Sequence, residues 1–217
     1  MQQVLRSFAV LFTGQVISLF ARFVTAPRAI WHGIDPAPAQ RVFFANHSSN
    51  GDFVLLWTVL PPAQRRQTRP VAALDYWLKS PLRAFIGREV FNAVLIERRP
   101  EARSEDPISQ MVAALEEGAS LILFPEGQRN SSDAPLLPFK SGLYHLAKAL
   151  PAVDLVPVWI ANLNKVMPKG EVIPVPLICT LTFGTPVHLA PDEAKDAFLA
   201  RATAALLALQ PAAMGEG

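Results

Sequence analysis

At 217 residues, the chain has room for one domain with a substantial core, or one domain and a small appendage. With 51% hydrophobic and 18% charged residues it is not a disordered chain, and its one cysteine, Cys179, excludes an internal disulfide and a thiolate metal cluster. The net charge of +2 conceals an asymmetry: residues 1–74 carry seven arginines and two aspartates, a net +5, and the remainder is net −3. A basic first third suits an anionic membrane surface or a solvated basic face. Nucleic acid is not an expected partner, because the arginines alternate with apolar segments and no nucleic-acid motif accompanies them.

Residues 4–24 are apolar but interrupted by Thr13, Gly14, Gln15, Ser18 and Arg22, so they do not read as a clean membrane span. As a helix they place Phe8, Phe12, Val16, Leu19 and Phe23 on one face and Gln15, Ser18 and Arg22 on another. That pattern reads as an interfacial, membrane-anchoring amphipathic helix. A helix docked on the domain is one alternative. A signal peptide is another, though the apolar core is broken and no small-x-small cleavage site follows. Pro27 to Gln40, rich in Pro and Ala, reads as a linker.

From Arg41 onward, short apolar runs alternate with helical patterns. Strands are expected at 41–45, 71–74, 91–99, 120–124, 153–160 and 177–183, with Pro157 at an edge or bulge. Helices are expected at 53–60, 75–87, 106–117 (closed by Gly118), 142–150 and 192–209, with a frayed tail from Pro211. Arg65 to Arg69 reads as a basic turn, and Cys179 as a buried structural thiol. The alternation predicts an α/β fold, a central mixed β-sheet flanked by helices.

The first strand empties into Asn46-His47-Ser48-Ser49-Asn50-Gly51-Asp52, a run of turn and cap formers. Positions five apart on one helix diverge by about 140°. His47 and Asp52 therefore meet only if His47 lies in the loop and Asp52 in the first helical turn. A carboxylate is favoured at that helix end. It could accept a hydrogen bond from one imidazole nitrogen and leave the other as a base. Taken alone, a histidine in a polar loop is more often a cap or surface residue.

Two further strand ends carry polar chemistry: Arg98, and the group Glu126, Gly127 and Arg129. If these converge with His47 and Asp52 on one sheet edge, they unite a base, its orienter and two guanidinium groups. Guanidinium pairs bind phosphate, and Gly127 lets backbone approach a ligand closely. The set suggests a phosphorylated alcohol whose hydroxyl is deprotonated. Singly, Arg98 reads as a solvated strand end, and Glu126 and Arg129 read equally as a local ion pair.

In these residues the chain resembles the glycerolphosphate and 1-acylglycerol-3-phosphate acyltransferases, a lysophospholipid acyltransferase family. Asn46 to Asp52 is similar to the NHxxxxD motif, Ile96-Glu97-Arg98 to the second motif, Phe124-Pro125-Glu126-Gly127-Gln128-Arg129 to the FPEG-x-R block, and Val156-Pro157-Val158 to the fourth. The resemblance covers about residues 40–185. It implies that His47 is the general base, that Asp52 orients it, and that the acceptor hydroxyl attacks an acyl thioester with no acyl-enzyme. It further implies that Arg98 and Arg129 hold the acceptor phosphate while Glu126 and Gly127 shape that pocket.

The implied partners are a membrane, a lysophospholipid acceptor, and acyl-CoA or acyl carrier protein as co-substrate, with no metal or other cofactor. Residues 1–34 would be the membrane-anchoring segment and linker and residues 35–217 the acyltransferase domain, at the cytoplasmic face of the inner (plasma) membrane. Glu97 replaces the family's usual Asp and Gln128 its frequent Thr. Both departures bear on the acceptor, which could be 1-acylglycerol-3-phosphate or another lyso-lipid such as an amino-acid lyso-lipid. A non-catalytic lipid-binding module and a thioester or lipid hydrolase are the competing readings. The second has no G-x-S-x-G elbow to support it.

Overall fold

Strand β2, Arg41–Ala45, is buried along its whole length, which requires apolar side chains on both faces of the sheet. Its alternation divides them: Val42 and Phe44 enter one core, Phe43 and Ala45 the other. A computed structural model, which describes residues 1–163 and 178–211, places β2 centrally in a seven-stranded sheet. The other strands are β1 (Arg28–Trp31), β3 (Thr68–Ala73), β4 (Val94–Ile96), β5 (Ser120–Leu123), β6 (Asp154–Ala161) and β7 (Thr180–Phe183). The spatial order is β1-β7-β6-β2-β5-β3-β4. All neighbours are parallel except β6 and β7, so β1 and β7 run against the other five. The sheet is mixed and flanked by helices, as the alternation predicts.

The helices among the described residues are α1 (Gln2–Thr25), α2 (Asp52–Val59), α3 (Pro62–Arg66), α4 (Leu74–Trp77), α5 (Pro81–Phe85), α6 (Pro107–Glu116), α7 (Gly142–Ala149) and α8 (Lys195–Leu207). Helices α6, α7 and α8 supply Met111, Leu115, Leu143, Leu146, Phe198 and Leu206 to the core behind Val42 and Phe44. Leu55 and Leu56 of α2 cover Phe43 on the opposite face. Helix α6 starts where the Asp106 carboxylate accepts from the Ser109 amide and ends at Gly118, whose φ of +85° closes the last turn.

Several elements differ from the sequence expectation. Residues 28–31, inside the expected linker, form edge strand β1, paired with β7 from Arg28↔Thr180 to Trp31↔Phe183. The expected helix over 75–87 is broken into α4, α5 and a π-helical turn at Ile86–Val90, with Ser80 capping a new start at Pro81. The expected basic turn at Arg65 to Arg69 is shared between the end of the short helix α3 and the start of β3. The third strand stops at Ile96, short of both arginines. Pro157 lies in an inner strand rather than at an edge. Its carbonyl accepts from the Gly184 amide just beyond β7, so its donor-less nitrogen faces the side where that strand has ended. Leu177 and residues 212–217 lie outside the described residues.

Helix α1 docks by its small and polar residues. A Cβ on Gly14 would stand 3.4 Å from Val90 and 3.7 Å from Trp57. The Ser18 hydroxyl accepts from Arg65 at 3.0 Å, Arg22 donates to the Thr58 carbonyl at 2.9 Å, and Arg6 makes a two-pronged pair with Glu89. The opposite face, Phe8, Phe12, Val16, Leu19 and Phe23, is left exposed, Phe23 at 86%. By length and composition alone, α1 is also long and apolar enough to cross a membrane. Of the residues that interrupt its apolar run, Gly14, Ser18 and Arg22 meet the domain, and Gln15 is exposed.

Candidate active site

The chain leaves β2 at Ala45 and turns through Asn46 to Gly51 into α2, whose first residue is Asp52. Asn46 prolongs the ladder by one step, its amide donating to the Ile160 carbonyl at 3.0 Å and accepting from the Ile160 amide at 2.7 Å. That side chain fixes where the loop leaves the sheet. His47 then lies beside the carboxyl ends of β2 and β5, its ring stacked on Phe124 with centroids 4.3 Å apart.

Asp52 is fully buried. One of its oxygens, Oδ2, accepts from the Ser48 amide at 2.7 Å and the Ser49 amide at 2.8 Å, and faces His47 Nδ1 at 2.9 Å. The loop thus aims its own backbone donors at the carboxylate that holds the imidazole. Oδ1 is buried with no hydrogen-bond partner among the described residues. An Nδ1–H donated to a carboxylate fixes the tautomer and leaves Nε2 with its lone pair.

Glu126 follows β5 and is only 1% exposed. Its Oε1 accepts from the His47 amide at 2.7 Å and its Oε2 from the Leu137 amide at 2.8 Å. Burial pushes its carboxyl above the ordinary range, opposed by the two amide donors. The Asn130 amide returns a bond to the His47 carbonyl at 2.7 Å. Glu126 therefore clamps the His47 loop to the loop after β5, where the family resemblance implies a wall of the acceptor pocket. Gly127 has a φ of +70°, which favours glycine, and a Cβ there would stand 3.2 Å from Lys140 Cγ, so the lysine side chain would have to give slightly.

Among the described residues, neither arginine is hydrogen-bonded to His47, Asp52 or Glu126. Arg98 follows β4, three strands from β2, about 14 Å along the same sheet edge at normal strand spacing. It is largely exposed and donates to Asp75 at 2.6 Å, which holds the Asp75 carboxyl below its ordinary range. Arg129 is exposed in the loop after Glu126. A cleft of about 1370 Å³ contains His47, Ser48, Glu126 and Asn130, and neither arginine lines it. Among the described residues, no group of three or more His, Cys, Asp or Glu side chains is placed to hold a metal ion.

Sequence reasoning missed Asn46, Phe124 and Asp75 as parts of the site. Asn46 and Phe124 sit inside the quoted motifs. Nothing near Asp75 in the sequence announces its partner 23 residues on.

Fold and site together define an α/β protein with a buried carboxylate and a histidine paired at the carboxyl end of its central strand. The chain belongs to the Acyltransferase family, whose model matches residues 28–161. It is 31% identical over 143 residues to a 1-acyl-sn-glycerol-3-phosphate acyltransferase of Salmonella typhimurium, covering 60% of this chain and 53% of that protein. It is 30% identical over 160 residues to the protein of the same name from Limnanthes alba, covering 72% and 53%. It is 32% identical over 152 residues to a protein named Taffazin from Dictyostelium discoideum, covering 63% and 50%. The chain thus spans about half the length of the curated relatives it matches. Its fold is similar to the crystal structure of the 1-acyl-sn-glycerophosphate (LPA) acyltransferase PlsC from Thermotoga maritima, with a TM-score of 0.70 at 19% identity, covering 96% of this chain and 81% of that one.

Proposed function

We propose that the chain is a membrane-surface O-acyltransferase. It moves a fatty acyl group from an acyl thioester to the free hydroxyl of a lysophospholipid, 1-acylglycerol-3-phosphate first among them, to give phosphatidate. The observation that carries this reading is the 2.9 Å approach of His47 Nδ1 to a buried Asp52 that two loop amides hold in place.

Asp52 keeps Nδ1 protonated, and Nε2 accepts the proton of the acceptor hydroxyl. The oxygen attacks the thioester carbonyl carbon and forms a tetrahedral oxyanion. As it collapses, the C–S bond breaks and the imidazolium returns its proton to the leaving thiolate. The product is the ester, and His47 is neutral again. The scheme draws on no metal or cofactor, with acyl-CoA or acyl carrier protein as co-substrate.

Arg98 and Arg129 would hold the acceptor phosphate. The Asp75–Arg98 pair favours a second reading of the acceptor, because Arg98 would meet a phosphate with one side of its guanidinium already bonded to a carboxylate at 2.6 Å. An acceptor with an amino-acid head group could leave that pair intact. The face of α1 that carries Phe8 and Phe23 would rest on the cytoplasmic leaflet of the inner (plasma) membrane.

The test is acylation of a lyso-lipid panel by the purified full chain with labelled acyl-CoA and acyl carrier protein. Product with lysophosphatidate, lost in His47→Ala, is the expected outcome. Product with another lyso-lipid alone would keep the His47 mechanism and reassign the acceptor. No product with any donor or acceptor would refute acyl transfer.

A further inference from the structure

We infer that the part of the cleft lying between His47 and β1 receives the pantetheine arm of the acyl thioester. The inference rests on the acyl-transfer reading above and assigns its donor side.

The cleft extends from His47 and Ser48 across one face of β6, β7 and β1. Register builds its floor. Ile30, Thr182 and Trp159 stand in one row, and Thr180 and Ala161 stand in the next. All project from the same side of the pleat. Helix α8 covers Trp159 with Phe198 and Leu206 and ends at Leu207. Residues 208–211 then wall the cleft where the helix stops.

Charge decides what fits. Among the described lining residues there is no lysine or arginine, and there are two carboxylates, Glu126 and Asp133. Against these described residues a phosphate would find repulsion from the two carboxylates. A bare hydrocarbon chain would leave the hydroxyls of Thr180 and Thr182 and the imidazole of His32 facing apolar surface without hydrogen bonds. An uncharged arm with two amides and a hydroxyl meets both the polar groups and the apolar ones. Pantetheine is such an arm, and acyl-CoA and acyl carrier protein share it. Arg98 lies beyond β4, on the other flank of His47 from β1, so an acceptor held there would reach His47 from the side opposite the donor.

The test compares two thioester donors on the full chain: acyl-pantetheine and acyl-N-acetylcysteamine, which lacks most of the arm. Thr180→Val/Thr182→Val is expected to raise the KM of the longer donor about five- to tenfold more than that of the shorter, as losing two hydrogen bonds would. Acyl-CoA and acyl carrier protein should suffer by the same factor, and the one that wild-type protein uses identifies the natural source. A second measurement needs no variant: S-butyl pantetheine should slow amide exchange in wild-type residues 28–32 and 178–183. Equal KM changes for both thioesters, or acyl transfer by a protein whose exchange S-butyl pantetheine leaves unchanged, would overturn the assignment. Slowed exchange in a chain that transfers no acyl group would instead keep the cleft assignment and remove the acyl-transfer reading.

Discussion

Asp52 uses one carboxylate oxygen for three contacts and leaves the other buried and unpartnered among the described residues, which makes Asp52→Asn an informative substitution. The remaining oxygen can keep both loop amides, so the fold should hold. Its NH2 then occupies the site of Oδ1 without an acceptor, at a cost of about 1–3 kcal/mol. Activity should fall further than stability, by about 10²- to 10⁴-fold in kcat, because the base loses its charged orienter. Comparing kcat with the melting temperature separates the two effects, and a kcat within threefold of wild type would remove Asp52 from the mechanism.

Glu126→Gln is the complementary case. A glutamine has one acceptor oxygen for two buried amides, so either His47 N or Leu137 N goes unpaired, again at about 1–3 kcal/mol. Because burial raises the folded-state value of this carboxyl, the folded chain binds the proton more tightly than the unfolded one. The stability this provides is complete below the unfolded value and is lost as pH rises through the folded one. The melting-temperature advantage of wild type over Glu126→Gln should therefore narrow as pH rises from the carboxylate range towards neutrality. A constant difference would contradict it. Burial also pushes the Cys179 thiol up to about 11, so the native chain should resist alkylation at pH 8 and react only once unfolded.

At the scale of elements, what was legible in the sequence was local. The His47–Asp52 pair spans five residues and one strand-to-helix turn, so spacing and helix geometry sufficed to draw it together. The contact between His47 and Glu126 joins residues 79 apart, and only the pairing of β2 with β5 brings them within reach. Strand β1 is four residues in a proline-flanked stretch, too short to display a period, and its pairing with β7 settles its conformation. The run over 75–87 carries apolar residues at helical spacing, but Pro81 cannot continue a helix and the chain breaks there. Beyond the break, the π-helical turn brings Gly87 against the ring of Trp77. A Cβ there would stand 2.9 Å from two ring carbons, closer than packed carbons tolerate. Gly87→Ala should destabilise by about 1–3 kcal/mol through this overpacking, read as a lower denaturation midpoint. An unchanged midpoint would mean that the turn yields freely.

For the whole molecule, the asymmetry of charge and the orientation of α1 point the same way. The helix turns Gly14, Ser18 and Arg22 to the domain and presents Phe8, Phe12, Val16, Leu19 and Phe23 outward. Five bulky apolar side chains on one exposed helix face form a patch that a soluble monomer rarely displays. Lipid would bury it, and the exposed arginines of the first 74 residues, Arg28 and Arg66 among them, would add attraction to anionic head groups. Those two contributions respond differently to salt. The apolar part persists in high salt, while the electrostatic part is screened within about 10 Å at 0.1 M. Removing residues 1–26 should move the protein from the membrane pellet to the soluble fraction. Replacing Phe8, Phe12 and Phe23 together by Ser should do the same while leaving the docking face of α1 intact. Raising the salt concentration should weaken vesicle binding of wild type without abolishing it. If the shortened chain still pellets with membranes, the attachment resides in the α/β domain, and the outward face of α1 needs another occupant.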